Sequence, residues 1–203
     1  MSWHINRSDL SNDIISELMD SLTATRRYLG VIPWTNIPTR KIMKRVREQK
    51  EGQKPQDDYL HTIAFIVNVG AHFVSVVIKP ECILYLDSFA NPISPALYPL
   101  LTRIRAEKRD NYPLYCNRNQ IQSLLSSHCG LYAALFTTWY LTPPTMRMQM
   151  QFEDTNLLRN DTKCVKYLKQ FVRQTLWRCM MNGTNKSTWS MSNAHWLAVM
   201  YSC

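Results

Sequence analysis

An α+β domain is the fold class the sequence predicts, and three observations carry that reading. β-Branched and apolar runs crowd residues 60–86, residues 130–141 are apolar on nearly every side, and helical spacing of apolar residues marks 11–28 and 162–181. Strands therefore come early and helices late. With 203 residues and 45% hydrophobic content, the chain is long enough for one domain with a substantial core and short for two, so residues 1–203 are read as one domain.

Taken in order, Ile14, Ile15, Leu18, Met19, Leu22 and Tyr28 set one buried stripe on a first helix, with Ser11 or Asn12 as cap and Gly30 as exit. Residues 31–38 carry two prolines and read as extended loop. Trp34 in that loop is either a core anchor or a wall of a binding cleft, and core is the preferred reading. Residues 39–54 place Arg40, Lys41, Lys44, Arg45, Arg47, Lys50 and Lys54 around Ile42, Met43 and Val46, a short basic amphipathic helix ended by Gly52 and Pro55. Residues 60–69 predict a buried strand, and 72–78 with 82–86 a hairpin around Lys79-Pro80. Residues 94–108 predict a helix whose regular part starts at Pro99, and 112–118 a short strand. The buried helix over 130–141 stops at Pro143-Pro144, and the last helix, 162–181, exits at Gly183.

No stretch reaches the roughly 20 apolar residues of a membrane span, and the first ten residues lack a signal-peptide core, so the expectation is a soluble, non-secreted protein. The six cysteines (Cys82, Cys116, Cys129, Cys164, Cys179, Cys203) form no C-x-x-C pair and no zinc-finger spacing, which argues against a structural metal or a disulfide framework. Most should be small buried apolar residues. The formal net charge of +9 favours acidic partners such as nucleic acid, although a charged surface explains it equally well.

The chemistry lies between residues 72 and 130. A hairpin turn centred between Lys79 and Pro80 sets His72 opposite Asp87 on one face of the ladder, where a carboxylate can hold an imidazole in one tautomer. That is the base and orienter of a triad. Cys129 stands where the polar loop 117–128 meets the apolar helix, so the positive end of a helix dipole favours its thiolate, and Gly130 leaves room for a substrate carbonyl. Gln122 offers an amide that can join the Cys129 backbone N–H in stabilising an oxyanion. Each part alone has a plainer reading: a cysteine before a buried helix is usually structural, Asp87 can cap the 88–92 turn, and Gln122 can bond loop backbone.

In order and spacing these residues resemble the adenovirus-type maturation proteases and, more distantly, the SUMO-specific proteases, which share the order His, acid, Gln, Cys. The matching pieces are Gly70-Ala71-His72-Phe73-Val74, Tyr85-Leu86-Asp87-Ser88-Phe89, and Gln122 followed seven residues later by Cys129-Gly130-Leu131-Tyr132. The resemblance implies a papain-related α+β fold: a central mixed sheet bearing His72 and Asp87, packed against a buried helix carrying Cys129. It implies a viral-type cysteine endopeptidase that processes precursor proteins during virion maturation, in the virion and the host nucleus or cytoplasm. The catalytic set is His72, Asp87, Gln122 and Cys129, with no cofactor required for chemistry. Three departures stand out: the spacing from His72 to the acid is a little tighter than in familiar members, and two residues differ. Phe73 replaces the family's Trp and is expected to cover the imidazole in its place, and His128 replaces the small or acidic residue often found before the cysteine.

The adenoviral enzymes are also activated by DNA and by a viral peptide that forms a disulfide to a non-catalytic cysteine. Cys116 is the nearest candidate for that disulfide, but it lies close to the nucleophile and is read as a plain strand residue. The basic residues Arg40, Lys41, Lys44, Arg45 and Arg47 are the candidate DNA contacts of a monomer with no membrane partner. Competing readings are a deubiquitinating or deSUMOylating protease acting on ubiquitin-like substrates, an acyltransferase on the same triad, a Cys129–His195 pair in papain's order, and a non-catalytic basic nucleic-acid-binding virion protein.

Overall fold

In the computed structural model, residues 27–49, 58–108, 112–118, 120–122 and 129–141 are described. The expected helix over 162–181 and residues 11–26 of the one expected over 11–28 lie outside these residues, as do Lys50, Gly52, Lys54, Pro55, His128, Cys164, Cys179, His195 and Cys203.

The β-branched runs pair into one five-stranded mixed sheet in the order β1-β2-β3-β4-β5. Strands β1 (Tyr28–Pro33) and β2 (Ile63–Asn68) are parallel, β2, β3 (Phe73–Ile78) and β4 (Ile83–Leu86) form an antiparallel meander, and β5 (Leu114–Cys116) runs parallel to β4. Parallel neighbours need crossovers. The first carries helices α1 (Thr39–Glu48) and α2 (Asp58–His61), and the second a 3₁₀ turn (Pro95–Leu97) leading into α3 (Tyr98–Lys108). Helix α4 (Cys129–Leu141) follows β5.

Both faces of the sheet are covered, which is why β3 is apolar at nearly every position and buried throughout. One face packs Phe65, Val67, Val74, Val76, Ile78 and Tyr85 against Ile42, Met43 and Val46 of α1 and Leu101 and Ile104 of α3. Each fully buried large apolar side chain there contributes about 1.5–3 kcal/mol. On the other face Ala64 and Val77 meet Leu141 of α4, and the Ser75 and Thr137 hydroxyls bond at 2.8 Å, which satisfies two buried polar groups.

Several expectations need correction. Residues 31–33, read as loop, are strand: the backbone of β2 supplies the pairing, and Pro33 sits at the end of an edge strand where its missing N–H costs nothing. Tyr28 and Gly30, read as the end of the first helix, belong to β1. The register shifts between Tyr28 and Val31, and Gly30 takes φ +101°, a bulge conformation open to glycine. Trp34 is 48% exposed rather than a core anchor, because it lies just past the strand end with its N–H on the Asn68 carbonyl at 3.0 Å. Helix α1 ends at Glu48, where Gln49 turns its side-chain amide onto the Ile78 carbonyl at 2.9 Å. Residues 58–61, including exposed Leu60, form α2, and β2 begins only at Ile63.

Candidate active site

The hairpin turn closes one residue later than its sequence suggests. The Lys79 N–H donates to the Cys82 carbonyl at 2.8 Å, and Ile78 pairs with Ile83 and Ser75 with Leu86. Continued outward, this register sets His72 opposite Phe89, two positions beyond Asp87. A shift of two keeps every side chain on its face, so Asp87 becomes a diagonal neighbour that an imidazole still reaches. Nε2 of His72 and Oδ1 of Asp87 are 2.8 Å apart. Phe89, not Phe73, is the ring that covers the imidazole, with centroids 5.1 Å apart at 30°, while Phe73 is buried at the start of β3.

Before β3, the Val69–His72 turn is closed by the Val69 N–H on the His72 carbonyl at 2.8 Å, with Gly70 at φ +93°, a backbone region an L side chain rarely adopts. After β4, the chain wraps around Asp87. The Phe89 N–H donates to Oδ1 at 2.7 Å, the Asn91 amide to Oδ2 at 3.2 Å, and the Ala90 N–H to the Asp87 carbonyl at 2.9 Å. Ala90 holds φ +56°, a strained value for a side-chain-bearing residue at a site so heavily hydrogen-bonded. Asn117, just past β5, adds two more bonds: its Oδ1 accepts the Asp87 N–H at 2.8 Å and its Nδ2 donates to the Asp87 carbonyl at 2.6 Å. Asp87 thus does both things its sequence allowed, capping its turn and holding His72. It is 1% exposed.

Cys129 is the first residue of α4 and is buried. Burial works against its thiolate, but His72 and hydrogen bonds from the Phe73 and Gly130 backbone outweigh it and bring the thiol below its ordinary range. Burial likewise opposes the imidazolium, and is overcome by Asp87 and Cys129, which raise His72 to about 9. With Nε2 on Asp87, the buried Nδ1 has no conventional hydrogen-bond partner among the described residues and is the ring nitrogen left to interact with the sulfur. Both shifts run toward a thiolate beside an imidazolium, the ion-pair form in which a cysteine is most nucleophilic.

Gln122, 1% exposed, completes the group from the segment before α4. Its Oε1 accepts the Ser88 hydroxyl at 2.5 Å, its carbonyl accepts the Gln120 amide at 2.7 Å, and the Tyr132 hydroxyl on the neighbouring Ile121 carbonyl at 3.5 Å ties the segment to the first turn of α4. The structure therefore gathers His72, Asp87 and Cys129 at the sheet end and fastens Gln122 to the same loop through Ser88. Sequence reasoning missed Ser88, Phe89, Asn91 and Asn117 as supports. The run Asp-Ser-Phe-Ala-Asn carried a turn signal, but nothing local tied Asn117 to Asp87.

The basic residues stand apart from this cluster. Arg40, Lys41, Lys44 and Arg47 are exposed on α1, on the sheet face opposite α4. Arg47 forks onto Glu107 at 2.9 and 3.0 Å, Arg45 bonds Glu48 at 2.9 Å, and Lys44 lies 4.0 Å from Glu48. Cys116 is on β5 as expected but exposed rather than buried, and partial burial of its sulfur pushes its thiol up. Among the described residues no group of three or more His, Cys, Asp or Glu side chains could hold a metal, and no helix is long and apolar enough to cross a membrane.

A buried helix that opens on a cysteine, packed on a mixed sheet whose strand ends carry a His–Asp pair, is the α+β cysteine-protease fold. Solved structures agree. The SUMO protease Ulp1 with its catalytic cysteine oxidised to a sulfonic acid matches at TM-score 0.51 and 16% identity, over 86% of this chain and 81% of that one. The C-terminal Ulp1 protease domain in complex with Smt3, the yeast orthologue of SUMO, matches at TM-score 0.51 and 16% identity, over 85% and 78%. The central domain of the Lpg1148 protein from Legionella pneumophila matches at TM-score 0.52 and 12% identity, over 86% and 99%. At such identities the likeness is one of fold, and it runs to the SUMO proteases, the more distant of the two resemblances in the sequence. No protein-family model and no curated protein sequence matches the chain.

Proposed function

We propose that the chain is a cysteine peptidase acting on a ubiquitin-like protein, with Cys129 as nucleophile, His72 as general base and acid, Asp87 as orienter and Gln122 as oxyanion donor. The observation that carries this reading is the His72–Asp87 contact at 2.8 Å beside a thiol that His72 helps to ionise. The Cys129 thiolate attacks the scissile carbonyl carbon, and the oxyanion is received by the Gln122 amide and the Cys129 backbone N–H. The imidazolium then protonates the departing amine, leaving a thioester. His72, neutral again, takes a proton from water as the water oxygen attacks the thioester, which releases the acid product and restores the Cys129 thiolate beside the imidazolium.

The ubiquitin-like substrate class rests on the fold neighbours, of which one is a SUMO protease domain bound to Smt3. Incubation with SUMO and ubiquitin precursors that carry a C-terminal extension tests it. The expected result is release of the extension by wild type and none by Cys129→Ala. Cleavage by Cys129→Ala would remove the triad from the explanation.

A second reading, virion-precursor processing with localisation to the virion and the host nucleus or cytoplasm, is favoured by the seven-residue spacing from Gln122 to Cys129, which resembles the adenoviral form. Cleavage of Gly-X precursor peptides with ubiquitin-like precursors left intact would select it. In that setting the α1 basic face would serve as a DNA contact. Arg45 and Arg47 are already held by acidic partners, which leaves Arg40 and Lys41 as its strongest members.

A further inference from the structure

The loop that holds Asp87 also grips Gln122. Ile121 and Gln122 both donate their N–H groups to the Ser88 carbonyl, at 2.9 and 3.0 Å, and the Ser88 hydroxyl meets Gln122 Oε1 at 2.5 Å. Both side chains are buried at 1% exposure, so water does not compete for the contact. The end of the amide that faces Ser88 is its oxygen, which accepts the Ser88 hydroxyl.

An amide held by its oxygen must aim its NH₂ elsewhere, because the two groups branch apart from one carbon. An amide free to flip would present oxygen, an acceptor, to a developing oxyanion half of the time and repel it. We propose that Ser88 is a positioning residue that locks the Gln122 amide in the orientation that presents its N–H donors to the reacting carbonyl. The proposal rests on the peptidase reading above. It makes the Asp87-Ser88 dipeptide a joint between the two halves of the site, with Asp87 setting the base and Ser88 setting the oxyanion donor.

The test is a double-mutant cycle on peptide cleavage by the full chain, with the folded state of each variant checked by its thermal transition. Ser88→Ala should lower kcat by about 10- to 10²-fold, as loss of orientation at a reacting centre does, with KM little changed. In a Gln122→Ala background the same change should cost nothing further, because Ser88 acts only through that amide. Ser88→Cys, similar in size but a weak donor, should also lose kcat and serves where Ser88→Ala does not fold. The pH profile of Cys129 alkylation should be the same in wild type and in either Ser88 variant. Additive losses in the double variant, or a shifted alkylation profile showing that Ser88 works through Asp87 and His72, would overturn the proposal while the peptidase reading stands. A wild-type chain that cleaves nothing and alkylates at Cys129 as an ordinary thiol would overturn both.

Discussion

Cys129 is buried and Cys116 is exposed, yet the buried thiol is the one whose ionisation is favoured. Burial opposes the thiolate at both positions. What separates them is company: Cys129 opens a helix and has His72 and two backbone donors around it, whereas among the described residues nothing offsets partial burial at Cys116 on the β5 edge. Between these two cysteines, partners rather than solvent access decide which thiol ionises more readily.

The largest test of that contrast removes each thiol in turn. Cys129→Ala should abolish peptide cleavage with the fold intact, while Cys116→Ala should leave the rate near wild type. A second test removes the company and keeps the sulfur. His72→Ala should reduce kcat/KM by on the order of 10⁴-fold or more, since triad members act as a unit, and Asp87→Asn should leave roughly 10–10² more residual activity than His72→Ala. Equal rates in wild type and His72→Ala would return Cys129 to the standing of Cys116. Gln122→Ala comes next, with kcat lowered by about 10²–10³-fold and thiol ionisation unchanged.

Much of this site was legible because it lies on regular elements. Period-two alternation put His72 and Asp87 on one face even though the turn was placed a residue early, since a register error of two leaves faces alone. The all-apolar stretch after Cys129 announced a buried helix and its start. The supports were illegible for a physical reason: Asn117 reaches Asp87 and Ser88 reaches Gln122 across 30 and 34 residues of chain, contacts that only the sheet order creates. Strand β1 was missed likewise, because a short edge strand containing glycine and proline owes its conformation to its neighbour. Trp34 shows the opposite failure, an apolar residue assigned to the core by type when its place at a strand end left it exposed.

The smallest expected effect lies on the far face of the sheet. Changing Arg40, Lys41 and Lys44 to Gln should leave cleavage of a short peptide unchanged, because α1 and α4 cover opposite faces. If that face binds duplex DNA, the slope of log affinity against log salt should shrink by about 0.9 for each phosphate that the variant no longer neutralises. An unchanged slope makes the charge a surface property.

The central claim is that His72 keeps Cys129 ionised, and the rate of alkylation at Cys129 against pH, followed by peptide mass spectrometry with Cys116 as the internal reference, tests it most directly. A raised imidazole and a lowered thiol define a window: the ion pair forms as pH rises through the lowered thiol value and is lost as pH rises through about 9, where His72 gives up its proton. Within that window the sulfur is already ionised and the imidazole still protonated, so reactivity should be nearly flat. The account predicts that Cys129 reaches this plateau well below the pH at which Cys116 begins to react, and that His72→Ala moves Cys129 up toward the ordinary thiol range near about 8.5. Parallel profiles for Cys129 and Cys116 in the wild-type protein would contradict it.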